Sequence, residues 1–219
     1  MPRPQAILLM GPGCPHCSSM LKALNELLEQ GELAKLEIYN VHFFPEEAAS
    51  RGVRSVPWLS LGPFVFSGAM SLGELRHWLA QRRDPKGMAL YFDHLFSSGQ
   101  RQLVETMVRN QPKHLAAFVD LLGDDKVGIN TRLGVGVVLE ELQDSGLAQT
   151  ITQGLCRLTE HRDPRIRGDA CHYLPLTKDR SAVPYLEARL DDENQDVREI
   201  AREALDELDE NSGGVPTVH

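Results

Sequence analysis

Long apolar runs are missing from this 219-residue chain. No stretch approaches the roughly 20 residues that a membrane-spanning helix needs, so no membrane partner is expected. The early run Ala6-Ile7-Leu8-Leu9-Met10 is too short for a signal-peptide core and reads as a strand. A cytoplasmic location is the resulting expectation. Cysteine is scarce, with four residues in all, too few for a disulfide scaffold. In a reducing compartment a close pair of cysteines reads as catalytic, redox-sensing or metal-binding rather than structural. No second C-x-x-C and no H-x-H follows at finger spacing, so a zinc site would lack two of its ligands. No metal and no cofactor are expected. Positive charge is also in deficit: 23 Lys and Arg face 31 Asp and Glu, for a net charge of -8. This argues against a nucleic-acid partner. Eight residues of each sign lie at or before Asp84, so everything after it carries the whole excess. That asymmetry points to two domains, 1–84 and 85–211, with a flexible tail at 212–219.

What is present centres on Gly11-Pro12-Gly13-Cys14-Pro15-His16-Cys17-Ser18. A strand pattern precedes it, and a helical stripe of Met20, Leu21, Leu24, Leu27 and Leu28 follows. Two thiols separated by two residues fall on nearly one side of a first helical turn. The unsatisfied N–H groups there favour a thiolate on the first. The second is placed to attack a mixed disulfide formed by the first. Further on, Leu36, Ile38 and Val41 suggest a strand, and Pro45 through Gly52 a short helix with proline at its start. Gly62-Pro63 turns a hairpin between Trp58-Leu59-Ser60-Leu61 and Phe64-Val65-Phe66. Ser71-x-x-Glu74 has the capping-box spacing before a last helix with Leu75, Trp78 and Leu79. The order is βαβαββα. Trp58 and Trp78 read as core residues, His42 and His77 as surface ones.

Cys14-Pro15-His16-Cys17 after a strand, Ser55-Val56-Pro57 some forty residues later, the hairpin, Gly68 and the final helix resemble the thioredoxin and glutaredoxin superfamily. The resemblance implies an α/β thioredoxin-like fold with Cys14 as nucleophile, Cys17 as resolving thiol and Pro57 as a cis-proline facing them. Pro15, His16 and Val56 are implied as supporting residues. Two departures matter. The strand Ala6–Met10 carries no acid where thioredoxins have one. Ser67-Gly68-Ala69-Met70-Ser71 lacks the Gly-Gly-x-Asp pattern of glutaredoxins, which argues against glutathione binding. The Pro-His pair is also that of related periplasmic disulfide oxidants and implies an oxidising tendency.

From Gly87 onward only helical stripes appear. Ile166, Arg167 and Ala170 recur as Val197, Arg198 and Ala201, a period of 31, with a looser copy near Thr131-Arg132. Helix pairs at this period indicate an α-solenoid. Val197-Arg198-Glu199-Ile200-Ala201 through Leu205 resembles short HEAT repeats. That resemblance implies structural roles for Asp163, Arg167, Asp196 and Arg198, and a protein-binding module rather than a second active site. Cys156 and Cys171 read as buried apolar residues. Two functions fit these observations. One is a thiol–disulfide oxidoreductase acting on a protein partner selected by the repeats. The other is a non-catalytic, redox-responsive adaptor.

Overall fold

The computed structural model describes residues 4–210; the expected tail lies outside them. The chain divides into two compact units, one ending at Gly87 and the other starting at Met88.

The first unit runs β1 (Gln5–Met10), α1 (Cys17–Glu29), β2 (Lys35–Asn40), α2 (Pro45–Ser50), β3 (Trp58–Leu61), β4 (Phe64–Ser67) and α3 (Leu72–Gln81). One mixed sheet has the strand order β2-β1-β3-β4. β1 is parallel to β2, with Leu8 opposite Ile38, and antiparallel to β3, with Leu8 opposite Leu59. The all-apolar run takes the central place because only there are both faces of a strand buried. Leu8 on one face and Leu9 on the other are fully buried. β2 lies at the edge, where Ile38 stays 45% exposed.

Register puts Leu8, Leu59, Leu61, Phe64 and Phe66 on one face. Trp78 of α3 lies against Phe64 and Phe66, with ring centroids 5.3 and 5.4 Å apart. Met20, Leu24 and Leu27, spaced three and four apart, form the buried stripe of α1. Each fully buried leucine contributes about 1.5–3 kcal/mol through removal from water. The Ser71 hydroxyl accepts the Glu74 N–H, and the Glu74 carboxylate accepts the Ser71 N–H, so the capping box forms. α2 starts at its proline and buries none of its residues.

The second unit contains α4 (Gly87–Ser97), α5 (Arg101–Asn110), α6 (Ala116–Leu122), α7 (Ile129–Leu142), α8 (Thr152–Leu158), α9 (Pro164–Tyr173), α10 (Val183–Glu187) and α11 (Gln195–Glu210), with short 3-10 turns between several of them. No strand occurs among its described residues. Ala170 and Ala201 are fully buried, and α9 packs on α11.

Arginine holds the turns between repeats. Carbonyls at a helix end lack intrahelical donors. Arg132 donates to Leu122 and Asp124 carbonyls at 3.2 and 2.7 Å. Arg167 donates to those of His161 and Arg162 at 3.0 and 3.2 Å. Arg198 donates to those of Asp192 and Glu193 at 2.7 and 3.3 Å. Two of these guanidiniums also reach forward to a carboxylate, Arg132 to Asp169 at 2.6 Å and Arg167 to Asp192 at 2.9 and 2.7 Å.

Asp163 caps α9 by accepting the Arg165 N–H at 2.9 Å. Asp196 differs from expectation: it is exposed in the first turn of α11. Asn194 takes the capping role, accepting the Val197 N–H, because it and not Asp196 precedes the helix. Asp192, three residues from a helix start, is the turn carboxylate that pairs.

Candidate functional site

β1 ends at Met10 and α1 begins at Cys17, so residues 11–16 form a connecting turn at the C-terminal end of the central strand. Gly13 has φ 71°, a left-handed conformation that glycine adopts without steric cost. The helix starts at Cys17 rather than at Cys14. Cys14 therefore lies in the turn just ahead of the helix, and the Cys17 N–H donates to its carbonyl at 3.3 Å.

Cys14 and Cys17 are joined as a disulfide with their Cα atoms 5.5 Å apart, within the ordinary range. Their exposure differs. Cys17 is 1% exposed, whereas Cys14 is half-buried. Pro15 and His16 are exposed; His16 occupies the N-cap position without a side-chain capping bond.

The Val56–Pro57 peptide is cis. The Cys14 Sγ lies 3.7 Å from the Val56 carbonyl oxygen. Pro57 is buried immediately before β3, and its carbonyl accepts the Gly68 N–H at 2.9 Å. A side chain at Gly11 would meet Val41 on one side and Val56 on the other, each at 3.4 Å. The turns after β1 and β2 and the lead into β3 therefore converge at one end of the sheet. Cys14, Cys17, Val56 and Pro57 come together there, with Pro15 and His16 in the same turn.

The sequence matches the family pattern of the thioredoxin domain over residues 5–80 and that of HEAT repeats over residues 130–206. A thioredoxin-like domain at residues 5–80 is followed by HEAT repeats at residues 130–206. No curated protein matches it. A close cysteine pair on a thioredoxin-like domain supports a redox role, and HEAT repeats support protein interaction.

β1 carries no acidic side chain anywhere between Gln5 and Met10. The other two cysteines, Cys156 and Cys171, belong to the HEAT region and are buried. Burial pushes their thiols up, to about 11 for Cys156 and about 12 for Cys171. Few thiolates form at neutral pH, and reactivity follows the thiolate. In the reduced, folded protein at pH 7, iodoacetamide is expected to label Cys14 first and to spare the buried Cys156 and Cys171 until urea unfolds the chain. Equal labelling of all four thiols by mass spectrometry would contradict this. Among the described residues, no three His, Cys, Asp or Glu side chains are grouped to hold a metal ion, and no helix is long and apolar enough to cross a membrane.

Sequence reasoning missed one feature of this end of the molecule. The turn after β2 holds His42, Phe43 and Phe44 in the open, with Phe43 72% exposed. The signal was available: two adjacent phenylalanines outside the strand alternation, directly before the proline that starts α2.

Proposed function

We infer that the chain is a thiol–disulfide oxidoreductase that acts on a protein partner, with the HEAT repeats as the partner-binding module. The observation that carries this reading is the asymmetry of the disulfide: one sulfur half-open beside the Val56 carbonyl and a cis-proline, the other buried behind it. An incoming thiolate meets Cys14 and displaces Cys17. In the reverse direction, the Cys14 thiolate attacks a substrate disulfide and Cys17 releases the product by closing the internal bond. Val56 supplies backbone for pairing with an extended substrate segment. Pro15 and His16 shape the turn. Scarce cysteines and the redox pair favour a cytoplasmic setting.

Trapping tests the reading. Reduced Cys17→Ser protein, offered a peptide disulfide, is expected to accumulate as a mixed disulfide on Cys14 that dithiothreitol releases. In this variant no second thiol stands behind Cys14 to resolve the intermediate. If Cys14 alkylates readily yet no mixed disulfide forms, the oxidoreductase reading falls. The dithiol would then belong to a redox-responsive adaptor.

A further inference from the structure

The exposed aromatic turn has a fixed place relative to the dithiol. β1 and β2 are parallel, so the turns leaving their C-terminal ends emerge at the same end of the sheet. The first carries Cys14; the second carries Phe43. The second is anchored by short backbone bonds. The Val41 N–H donates to the Met10 carbonyl at 2.9 Å, and the Phe43 and Phe44 N–H groups both donate to the Asn40 carbonyl at 3.0 Å. The His42 N–H donates to the Asn40 side chain at 3.0 Å. The His42 ring stands edge-on to Phe43 at 5.0 Å, and Phe44 stands edge-on to Tyr39 at 6.0 Å. Val41, two residues before Phe43, sits against the Gly11 position of the dithiol turn.

A phenylalanine left 72% in water still has most of its apolar surface to bury, and burial is a gain. Carried on the turn next to the one that holds Cys14, it offers that gain to a substrate. We propose that Phe43 is a specificity-determining residue, selecting protein thiols and disulfides whose cysteine is flanked by a large apolar side chain. This rests on the oxidoreductase reading above. The apolar neighbour covers Phe43 while its cysteine meets Cys14.

In a single turnover the exchange needs no other reactant. A thiolate of a two-cysteine peptide attacks the Cys14 Sγ; the Cys14–Cys17 bond breaks and Cys17 leaves as a thiolate. The second thiolate of the peptide then attacks the peptide sulfur of the mixed disulfide and displaces Cys14. The peptide loses two electrons and two protons, and the protein disulfide gains both.

The test uses the full oxidised chain and three reductants: two dithiol peptides differing only in Leu or Ser beside the cysteine, and dithiothreitol. The wild-type disulfide is expected to be reduced about tenfold faster by the Leu peptide than by the Ser peptide, the factor one buried aliphatic contact supplies. Phe43→Ala should remove most of that preference, and Phe43→Leu should restore it. The dithiothreitol rate and the equilibrium with dithiothreitol should be the same in all three proteins. Equal wild-type rates on the two peptides, or a preference that survives Phe43→Ala, overturns the proposal. So does a changed dithiothreitol equilibrium in Phe43→Ala, since the residue would then act on the dithiol itself. A wild-type disulfide inert to both peptides and to dithiothreitol would instead bring down the oxidoreductase reading beneath it. Because Phe43 is so exposed, neither substitution threatens the fold.

Discussion

Cys14→Ser is expected to reduce thiol–disulfide turnover to the background rate. The measurement is reduction of a peptide disulfide with dithiothreitol as electron source. Three observations set the size of the effect. Cys17 is 1% exposed, so it cannot receive a substrate sulfur without local opening. Cys156 and Cys171 are buried, with thiols pushed up to about 11 and 12. A serine hydroxyl does not ionise usefully at neutral pH, so the substitution removes the only accessible sulfur nucleophile. Cys17→Ser should behave differently, retaining the first exchange and losing the second. Turnover that persists in Cys14→Ser would mean that the reacting sulfur lies elsewhere.

Arg167→Ala is expected to destabilise the HEAT region by about 3–5 kcal/mol, as removal of one partner from a buried ion pair does. The Arg167 and Asp192 side chains are 6% and 2% exposed. Truncation leaves the Asp192 carboxylate buried and short of its two guanidinium bonds. It also strips donors from the His161 and Arg162 carbonyls. Urea unfolding followed by circular dichroism would report a lower midpoint. Replacing both partners, Arg167→Met with Asp192→Leu, should recover part of the loss, since the buried carboxylate goes with its guanidinium and Arg189, which loses a contact, is part-exposed. A midpoint for Arg167→Ala within experimental error of wild type would refute the assignment.

The same pair sets a pH dependence. Burial pushes the Asp192 carboxyl up. Hydrogen bonds from Arg167 and from the Asn194 N–H, with the charges of Arg167 and Arg189, outweigh it and hold the group below its usual 3.8. The unfolded chain therefore takes up the proton first as pH falls. The contribution is complete above the ordinary carboxylate range and is lost as pH drops through the depressed folded value. Asp192→Asn should accordingly be less stable than wild type at pH 7, with the gap narrowing toward pH 2.

The order of elements in the first unit was legible because its signals are local. An apolar run, a C-x-x-C turn, a proline-led helix, a Gly-Pro hairpin and a capping box each declare themselves within a few residues. The 31-residue period was legible for the same reason, through Ile166 and Val197, Arg167 and Arg198. Partners distant in sequence were not. Nothing near Arg167 announces that its carboxylate is Asp192, 25 residues on. The Asp196 reading failed by two residues, because capping depends on where α11 begins and a run of acidic and amide residues hides that point. At the candidate site the dithiol could be read directly, while the nearness of Val41 to Gly11 required the parallel pairing of β1 with β2.

The guanidinium contacts also bear on how such an array can lengthen. Arg167 reaches the carbonyls of residues 161 and 162; Arg198 reaches those of residues 192 and 193, each 31 positions later. An in-frame duplication of residues 164–194 would hand the inserted arginine the same two carbonyls behind it and the same carboxylate ahead. The coding unit that can be copied without leaving a stranded charge is thus one period, cut just before the proline that opens α9. The turn chemistry sets the grain size at which this chain can grow or shrink by recombination.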